Sequence, residues 1–145
     1  MPERNTLKRV KRDLRRGTSR STAAGEFVRE EIHHIREGKH GARSTKQAIA
    51  IGLAKARRAG IDPGTPKAGS QRMKAAAKRD TAAGRHPQPV SGTRSAATKQ
   101  ALRREPHAAA SKKALSRHAH TAAMHRTAAA RSASAKKAAR TRAHA

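Results

Sequence analysis

Large apolar side chains recur at helical spacing almost only in the first 62 residues of the chain. The first stripe predicts a helix over residues 6–16 that Gly17 ends. A second stripe predicts a helix that follows Ser21 or Thr22 and ends at Gly38. The apolar positions in these stripes lie three or four residues apart: Leu7, Val10, Leu14, Val28, Ile32 and Ile35. Each helix therefore has one face to bury.

The clearest helix boundary lies at Ser44. Ser44 and Gln47 match a capping box, in which the hydroxyl and the amide satisfy free backbone N–H groups at the start of a helix. The predicted third helix continues through Leu53 and ends at Gly60. Gly52 weakens this helix by about 1 kcal/mol relative to alanine, but it also permits close helix packing.

The chain changes character at residues 61–66, where two prolines and a glycine indicate a turn. The sequence therefore predicts a helical basic module at 1–62, a linker at 63–69 and a tail rich in Ala, Lys and Arg at 70–145. Only three large aliphatic residues follow the break, and they are Val90, Leu102 and Leu115.

In the tail, alanine and basic residues predict helices near 70–83 and 95–105 and a long run from Ala108 towards Ala130. Isolated helices of this length are marginal in water. The expected fold class is all-α, with two to three helices in the N-terminal module. The tail is expected to be largely disordered or marginally helical and to fold when it binds its partner.

Composition indicates what that partner is. The chain has 35 Lys and Arg against 9 Asp and Glu, a net charge of +26, and only 14 of its 145 residues are Leu, Ile, Val or Phe. A composition this poor in large apolar residues and this charged favours disorder and a polyanionic partner. Arginines outnumber lysines, which suits phosphate recognition.

Several classes of function are disfavoured. There is no cysteine, and no apolar stretch approaches the length of a membrane span. The absence of Trp and Tyr argues against modules that stack bases on aromatic rings. Glu30 and Glu31 are adjacent and are expected to face apart, so no catalytic pair is evident. The sequence predicts no enzyme and no cofactor.

The nine histidines also suggest no metal site. His33 and His34 point to different faces of a helix, and so do His118 and His120. Neither a His-x-x-x-His pair on a strong helix nor a nearby carboxylate completes a ligand set. The predicted metal content is therefore none, and added positive charge below pH 6.5 is the expected role of these side chains.

These observations predict binding to nucleic acid, mainly duplex DNA, through the phosphate backbone and without sequence preference. The expected location is the cytoplasm and its nucleoid, because residues 1–20 lack the apolar segment of a secretory signal. The residues expected to contact phosphate are Arg43, Lys46, Lys55, Arg57, Arg58, Arg103, Arg104, Lys112, Lys113 and Arg117.

Three alternatives stay open at this point. One is an RNA-binding or ribosome-associated factor. Another is a regulatory protein whose helix 22–37 docks a protein partner or a second copy of the chain. Residues 22–60 also match a helix-turn-helix, in which Arg43 to Gln47 begin a recognition helix; the connection is longer than usual, which favours a simple capped hairpin.

The segments 25–31, 35–51 and 54–60, and later 98–105 and 109–117, resemble a bacterial family of small, highly basic proteins. The resemblance implies a bacterial source and carries no known activity. The last third of the chain is similar in composition to the alanine–lysine tails of linker-histone-like nucleoid proteins, although it lacks a Ser-Pro-Lys-Lys motif.

Overall fold

The computed structural model describes residues 2–67 and 69–143, and 72% of these residues are helical. Within these residues there are seven α-helices and one short 3-10 helix, Ala108–Ala110. The α-helices are α1 (Arg4–Arg15), α2 (Arg20–Arg36), α3 (Thr45–Arg58), α4 (Gln71–Arg85), α5 (Gly92–Arg103), α6 (Lys112–Met124) and α7 (Ala128–Ala143).

The three helices expected in the first 62 residues are confirmed. Gly17 follows α1 with a φ of +77° and Gly60 follows α3 with a φ of +81°, a left-handed conformation that glycine adopts without strain. The predicted cap of α2 is wrong by two or three residues. Ser19 caps this helix, because its hydroxyl accepts a hydrogen bond from the backbone N–H of Thr22 at 3.2 Å.

The start of α3 is held on both sides of Ser44. The Ser44 hydroxyl accepts a hydrogen bond from the N–H of Gln47 at 3.2 Å. The Gln47 side chain reaches back one residue further than a capping box requires and accepts from the N–H of Arg43 at 2.7 Å. The backbone of Arg43 is therefore fixed although its side chain is exposed.

We expect Ser44→Ala to lower the free energy of unfolding by about 1 kcal/mol, because the N–H of Gln47 loses its acceptor. Urea denaturation followed by circular dichroism measures the loss. Ser44→Thr keeps the hydroxyl and is the matched control. An equal loss in both variants would show that the hydroxyl does not stabilise α3.

The centre of the fold is α2, which packs against α1, α3 and the 3-10 helix. Phe27 and Val10 lie in its core beside Ala23, Ala24 and Ala56. Among the described residues, eight of the twelve buried hydrophobic side chains are alanine. Small side chains therefore build most of the core, and they let the helix backbones approach closely.

The expected small module with a disordered tail is wrong, because chain beyond residue 62 packs on the first three helices. The helix α4 lies against α3, with Ala77 buried. A Cβ at Gly84 would overlap the carbonyl oxygen of Arg57, so the two backbones touch there. Ala109 and Ala110 are also buried, and the resulting compact unit is Met1–Ser111.

The error has a physical cause. Counting large apolar residues underestimates a core whose contacts are made by alanine methyl groups and glycine backbone. Packing of this kind gains dispersion energy from many close atom pairs without large side chains. Composition predicts that the helices of the tail have nothing to pack against, but α4 packs against α3.

The second compact unit is Lys112–Ala145, and its described part consists of α6 and α7. No side chain in these two helices is buried. The expected long helix from Ala108 towards Ala130 is wrong. Ser111 is extended, which separates the 3-10 helix from α6, and Thr127 begins a new helix by accepting a hydrogen bond from the N–H of Ala130 at 3.2 Å.

Candidate functional site

Four of the predicted phosphate-binding residues lie in or beside two segments that backbone hydrogen bonds join in the compact unit Met1–Ser111. Arg43 and Lys46 are exposed at the start of α3, and Arg103 and Arg104 are exposed at the end of α5. We call these four residues the α3–α5 surface. Its two parts come from segments 60 residues apart in sequence, so only the fold brings them together.

Two backbone hydrogen bonds join the parts of the α3–α5 surface. The N–H of Gly41 donates to the carbonyl of Leu102 at 2.8 Å, and the N–H of Ala42 donates to that of Pro106 at 3.0 Å. Gly41 has no side chain, and a Cβ there would overlap the carbonyl of Glu105. Arg43 directly follows Ala42, and Arg103 directly follows Leu102, so each arginine is next to a residue of this backbone pairing.

Three other predicted contacts are engaged inside the unit. Arg57 is only 6% exposed and its Nη2 donates to the carbonyl of Gly64 at 3.1 Å. The Lys55 ammonium lies 2.5 Å from Glu31 Oε2. The Arg58 Nη2 lies 2.8 Å from Asp80 Oδ1, although its side chain stays largely exposed. We therefore do not retain Arg57 and Lys55 as phosphate contacts.

The remaining three predicted contacts lie on α6. Lys112, Lys113 and Arg117 are exposed in the second unit. Nothing in their own helix neutralises them, since α6 contains no acidic residue.

The first turn of α3 is only partly available to a ligand. Thr45 is buried, and its hydroxyl donates to the carbonyl of Ala109 at 2.7 Å. Ser44 and Gln47 are occupied in capping. Of the five residues that would begin a recognition helix, Arg43 and Lys46 are the ones whose side chains face solvent without such a bond.

A cluster of buried ionic groups lies between α2 and α3, where the sequence indicated none. Glu30 and Glu31 were expected to face apart, but Lys55 Nζ contacts both of them. It lies 3.6 Å from Glu30 Oε1 and 2.5 Å from Glu31 Oε2. Both carboxylates are buried. His40 Nε2 lies 3.0 Å from Glu31 Oε1. Burial of two adjacent carboxylates is tolerated here because the Lys55 ammonium faces both of them.

The cluster continues to the start of the chain. Glu30 Oε2 accepts a hydrogen bond from the N–H of Glu3 at 3.1 Å, and Glu3 Oε1 lies 2.8 Å from His34 Nε2. The hydrogen bond with His34, followed by that from Lys39, holds the pKa of Glu3 below its ordinary value. Glu37 has a lowered pKa for the same reason, a hydrogen bond from Lys39.

The prediction that no nearby carboxylate completes a ligand set with the histidines is therefore wrong. Glu31, His34 and His40 each present a possible ligand atom, and these atoms lie within 4.8 Å of one another. The signal available in the sequence was the spacing Glu31-x-x-His34, which places both side chains on one face of α2. The position of His40 depends on the turn at Gly38, so its distance from Glu31 could not be predicted from the sequence.

Internal ion pairs consume little of the positive charge. In the described residues, six of the 35 Lys and Arg side chains pair with acidic groups, and they are Arg9, Arg12, Arg29, Lys39, Lys55 and Arg58. The same pairs use seven of the nine acids, so the surface retains a large excess of cations. Such a surface attracts polyanions over the range of the Debye length.

Fold and surface together define the class as a helical, strongly basic protein. None of its helices in the described ranges has the length and apolarity needed to cross a membrane. Neither a protein-family model, nor a curated protein, nor a solved structure matches the chain.

Proposed function

We propose that the protein binds nucleic acid, with duplex DNA favoured, through contacts to the phosphate backbone. The observation that carries this proposal is the net charge of +26 on a chain in which the ion pairs of the described residues engage six Lys and Arg side chains. An excess of this size opposes folding, because like charges destabilise a compact state. Phosphates relieve that repulsion and release their counterions.

Because the unit Met1–Ser111 is already folded, its cations would bind phosphates as a preorganised surface and would not need to fold on binding. Arg43 and Lys46 begin α3, whose N-terminus also carries the positive end of the helix dipole. Arg103 and Arg104 are held beside them by the backbone pairing at Gly41 and Ala42. A rigid surface loses less conformational entropy on binding than a disordered tail does.

Contacts to phosphate position a protein and do not read sequence, so the proposed binding is nonspecific. This matches a nucleoid-associated, histone-like role. Eight of the predicted contacts stay exposed, and they are Arg43, Lys46, Arg58, Arg103, Arg104, Lys112, Lys113 and Arg117. Eight contacts correspond to a slope of about −7 for log K against log salt concentration.

The alternative in which helix 22–37 docks a partner is disfavoured, because the apolar face of this helix is already covered. Ile32, Ile35 and Phe27 are buried within the compact unit Met1–Ser111. An RNA target stays open, because it presents the same phosphates.

We expect the variant R43Q/K46Q/R103Q/R104Q to bind a random-sequence duplex with a salt slope shallower by about 3 to 4, since four phosphate contacts are lost. Fluorescence anisotropy over a series of salt concentrations measures the slope. The matched control is K8Q/K11Q/R15Q/R16Q, which removes the same charge from the exposed side of α1 and from the residue that follows this helix. The control slope is expected to change by less than about 1.

Three results would count against the proposal in different ways. Absence of salt-dependent binding in the natural sequence would refute nucleic-acid binding. An equal change in both variants would refute the α3–α5 surface as the place of contact. Displacement of the duplex by folded ribosomal RNA at a tenfold lower phosphate concentration would make RNA the target.

A further inference from the structure

We propose that Glu31, His34 and His40 form a binding site for a divalent transition-metal ion of the zinc class. The three side chains offer two imidazole nitrogens and one carboxylate oxygen, all within 4.8 Å of one another. Its three ligands are not among the residues of the α3–α5 surface, and the proposal does not depend on the proposed binding of nucleic acid.

The orientation of His40 is the first argument for the site. Its Nδ1 lies 3.1 Å from the carbonyl oxygen of Gly41, which can only accept a hydrogen bond. With Nδ1 as the donor, Nε2 of a neutral ring is an acceptor, and it lies 3.0 Å from Glu31 Oε1. Two acceptors at this distance repel each other unless a cation or a proton lies between them. In a metal-binding histidine, the ring nitrogen that does not bind the metal usually donates a hydrogen bond to a backbone carbonyl, a carboxylate or water.

The state of the Glu31 carboxylate is the second argument. Its side chain is 1% exposed, yet neither oxygen has a hydrogen-bond partner among the described residues. Lys55 and His40 lie at ion-pair distance, but they are not aligned to donate to its lone pairs. Buried polar atoms normally find such partners. Because Lys55 already faces Oε2, Oε1 is the oxygen left for a metal ion.

His34 completes the set from one turn further along α2. Glu3 Oε1 lies 2.8 Å from its Nε2, so a carboxylate supports this ring as a carbonyl supports that of His40. Both histidine side chains are about 15% exposed, at 14% and 16%, which leaves a path from solvent to the cluster. Three protein ligands leave a fourth position for water.

The donor set decides the class of ion. Imidazole suits Zn²⁺, Co²⁺, Ni²⁺ and Cu²⁺, whereas Ca²⁺ and Mg²⁺ require oxygen ligands. Tetrahedral zinc with bonds of about 2.0–2.1 Å places its ligand atoms roughly 3.4 Å apart. The ligand atoms, within 4.8 Å of one another in the structure, must therefore draw together when the ion binds.

The test uses the full chain, freed of metal by a chelator and titrated with Co²⁺ and then with Zn²⁺ in competition. Visible absorption of bound Co²⁺ reports the ligand field. In His34→Gln and His40→Gln, the affinity for Zn²⁺ is expected to fall more than about 100-fold, because loss of a ligand exceeds the loss found for supporting residues. Glutamine can still hydrogen-bond to Glu3 or Glu31, so these variants keep the polar contacts that a purely structural role requires.

The matched controls are His33→Gln, next to the cluster but exposed on α2, and the double variant H118Q/H120Q in α6. Both should keep the affinity of the natural sequence within about threefold. A second measurement needs no variant: on addition of Zn²⁺, the ring signals of His34 and His40 in nuclear magnetic resonance spectra should shift at one equivalent, before those of the other histidines.

The proposal is overturned if the natural sequence gives no Co²⁺ absorption, or if His40→Gln binds Zn²⁺ as tightly as the natural sequence does. It is also overturned if His33→Gln loses as much affinity, or if the first ring signals to shift belong to histidines outside the cluster. None of these results affects the binding of nucleic acid, which is measured without metal.

Discussion

Replacing Gly52 by alanine is expected to destabilise the fold, whereas the same replacement at Gly25 is expected to stabilise it. Both glycines lie inside helices, where alanine is favoured by about 0.5–1 kcal/mol. Nothing lies within 4 Å of a Cβ at Gly25. At Gly52 a Cβ would lie 2.6 Å from Val28 Cα and 2.9 Å from Val28 N, so the backbones of α2 and α3 would have to separate.

Overpacking of a core typically costs about 1–3 kcal/mol, and a clash with backbone atoms belongs at the upper end of that range. Net of the gain in helix propensity, we expect Gly52→Ala to lower the free energy of unfolding by about 2 kcal/mol. Gly25→Ala should raise it. Urea denaturation of both variants measures the two changes, and equal changes of the same sign would contradict the close contact between α2 and α3.

Lys55→Met is expected to have the largest effect of a single substitution in the buried ionic cluster. It keeps most of the volume of the side chain but removes the ammonium that faces Glu30 and Glu31. Removal of one partner from a buried ion pair typically costs about 3–5 kcal/mol, because the other charge stays buried without compensation. Since a domain of this kind has only about 5–15 kcal/mol in total, much of its stability should be lost.

A triple variant, K55M/E30Q/E31Q, separates the loss of charge balance from the loss of packing. It removes the carboxylate charges together with the ammonium, and we expect it to recover most of the stability lost in Lys55→Met. Chemical denaturation at neutral pH measures both variants. A triple variant no more stable than Lys55→Met would show that Lys55 acts through its aliphatic chain.

Local signals in the sequence predicted local structure well. Apolar spacing predicted α1 to α3, and Ser44, Gly17 and Gly60 marked helix ends because caps depend only on neighbouring backbone groups. The remark that Gly52 permits close packing is likewise confirmed. The cap of α2 was misplaced because three candidate hydroxyls, Ser19, Ser21 and Thr22, stand within four residues.

Long-range features of the fold were not predictable in this way. Composition indicated a disordered tail, because it gives no weight to Gly84 against Arg57 or to Ala77 against α3. The turn between α2 and α3 folds His40 back onto Glu31, and sequence spacing alone does not fix that distance.

The sequence predicted only part of the candidate surface, for a similar reason. The excess of cations is plain in the sequence, but it did not show that Arg57 is buried or that Lys55 is held by two acids. Sequence alone does not distinguish Lys55, Arg57 and Arg58, because their different surroundings come from α2, from the loop at Gly64 and from α4.

The core of alanine and glycine also has a thermal consequence. The heat capacity of unfolding grows with the apolar area that water gains, and small side chains expose little of it. Eight alanines among the twelve buried hydrophobic residues of the described ranges imply a small heat-capacity change for a chain of this length. The stability curve should accordingly be broad and shallow, so that cooling or moderate warming alters the folded fraction only slowly.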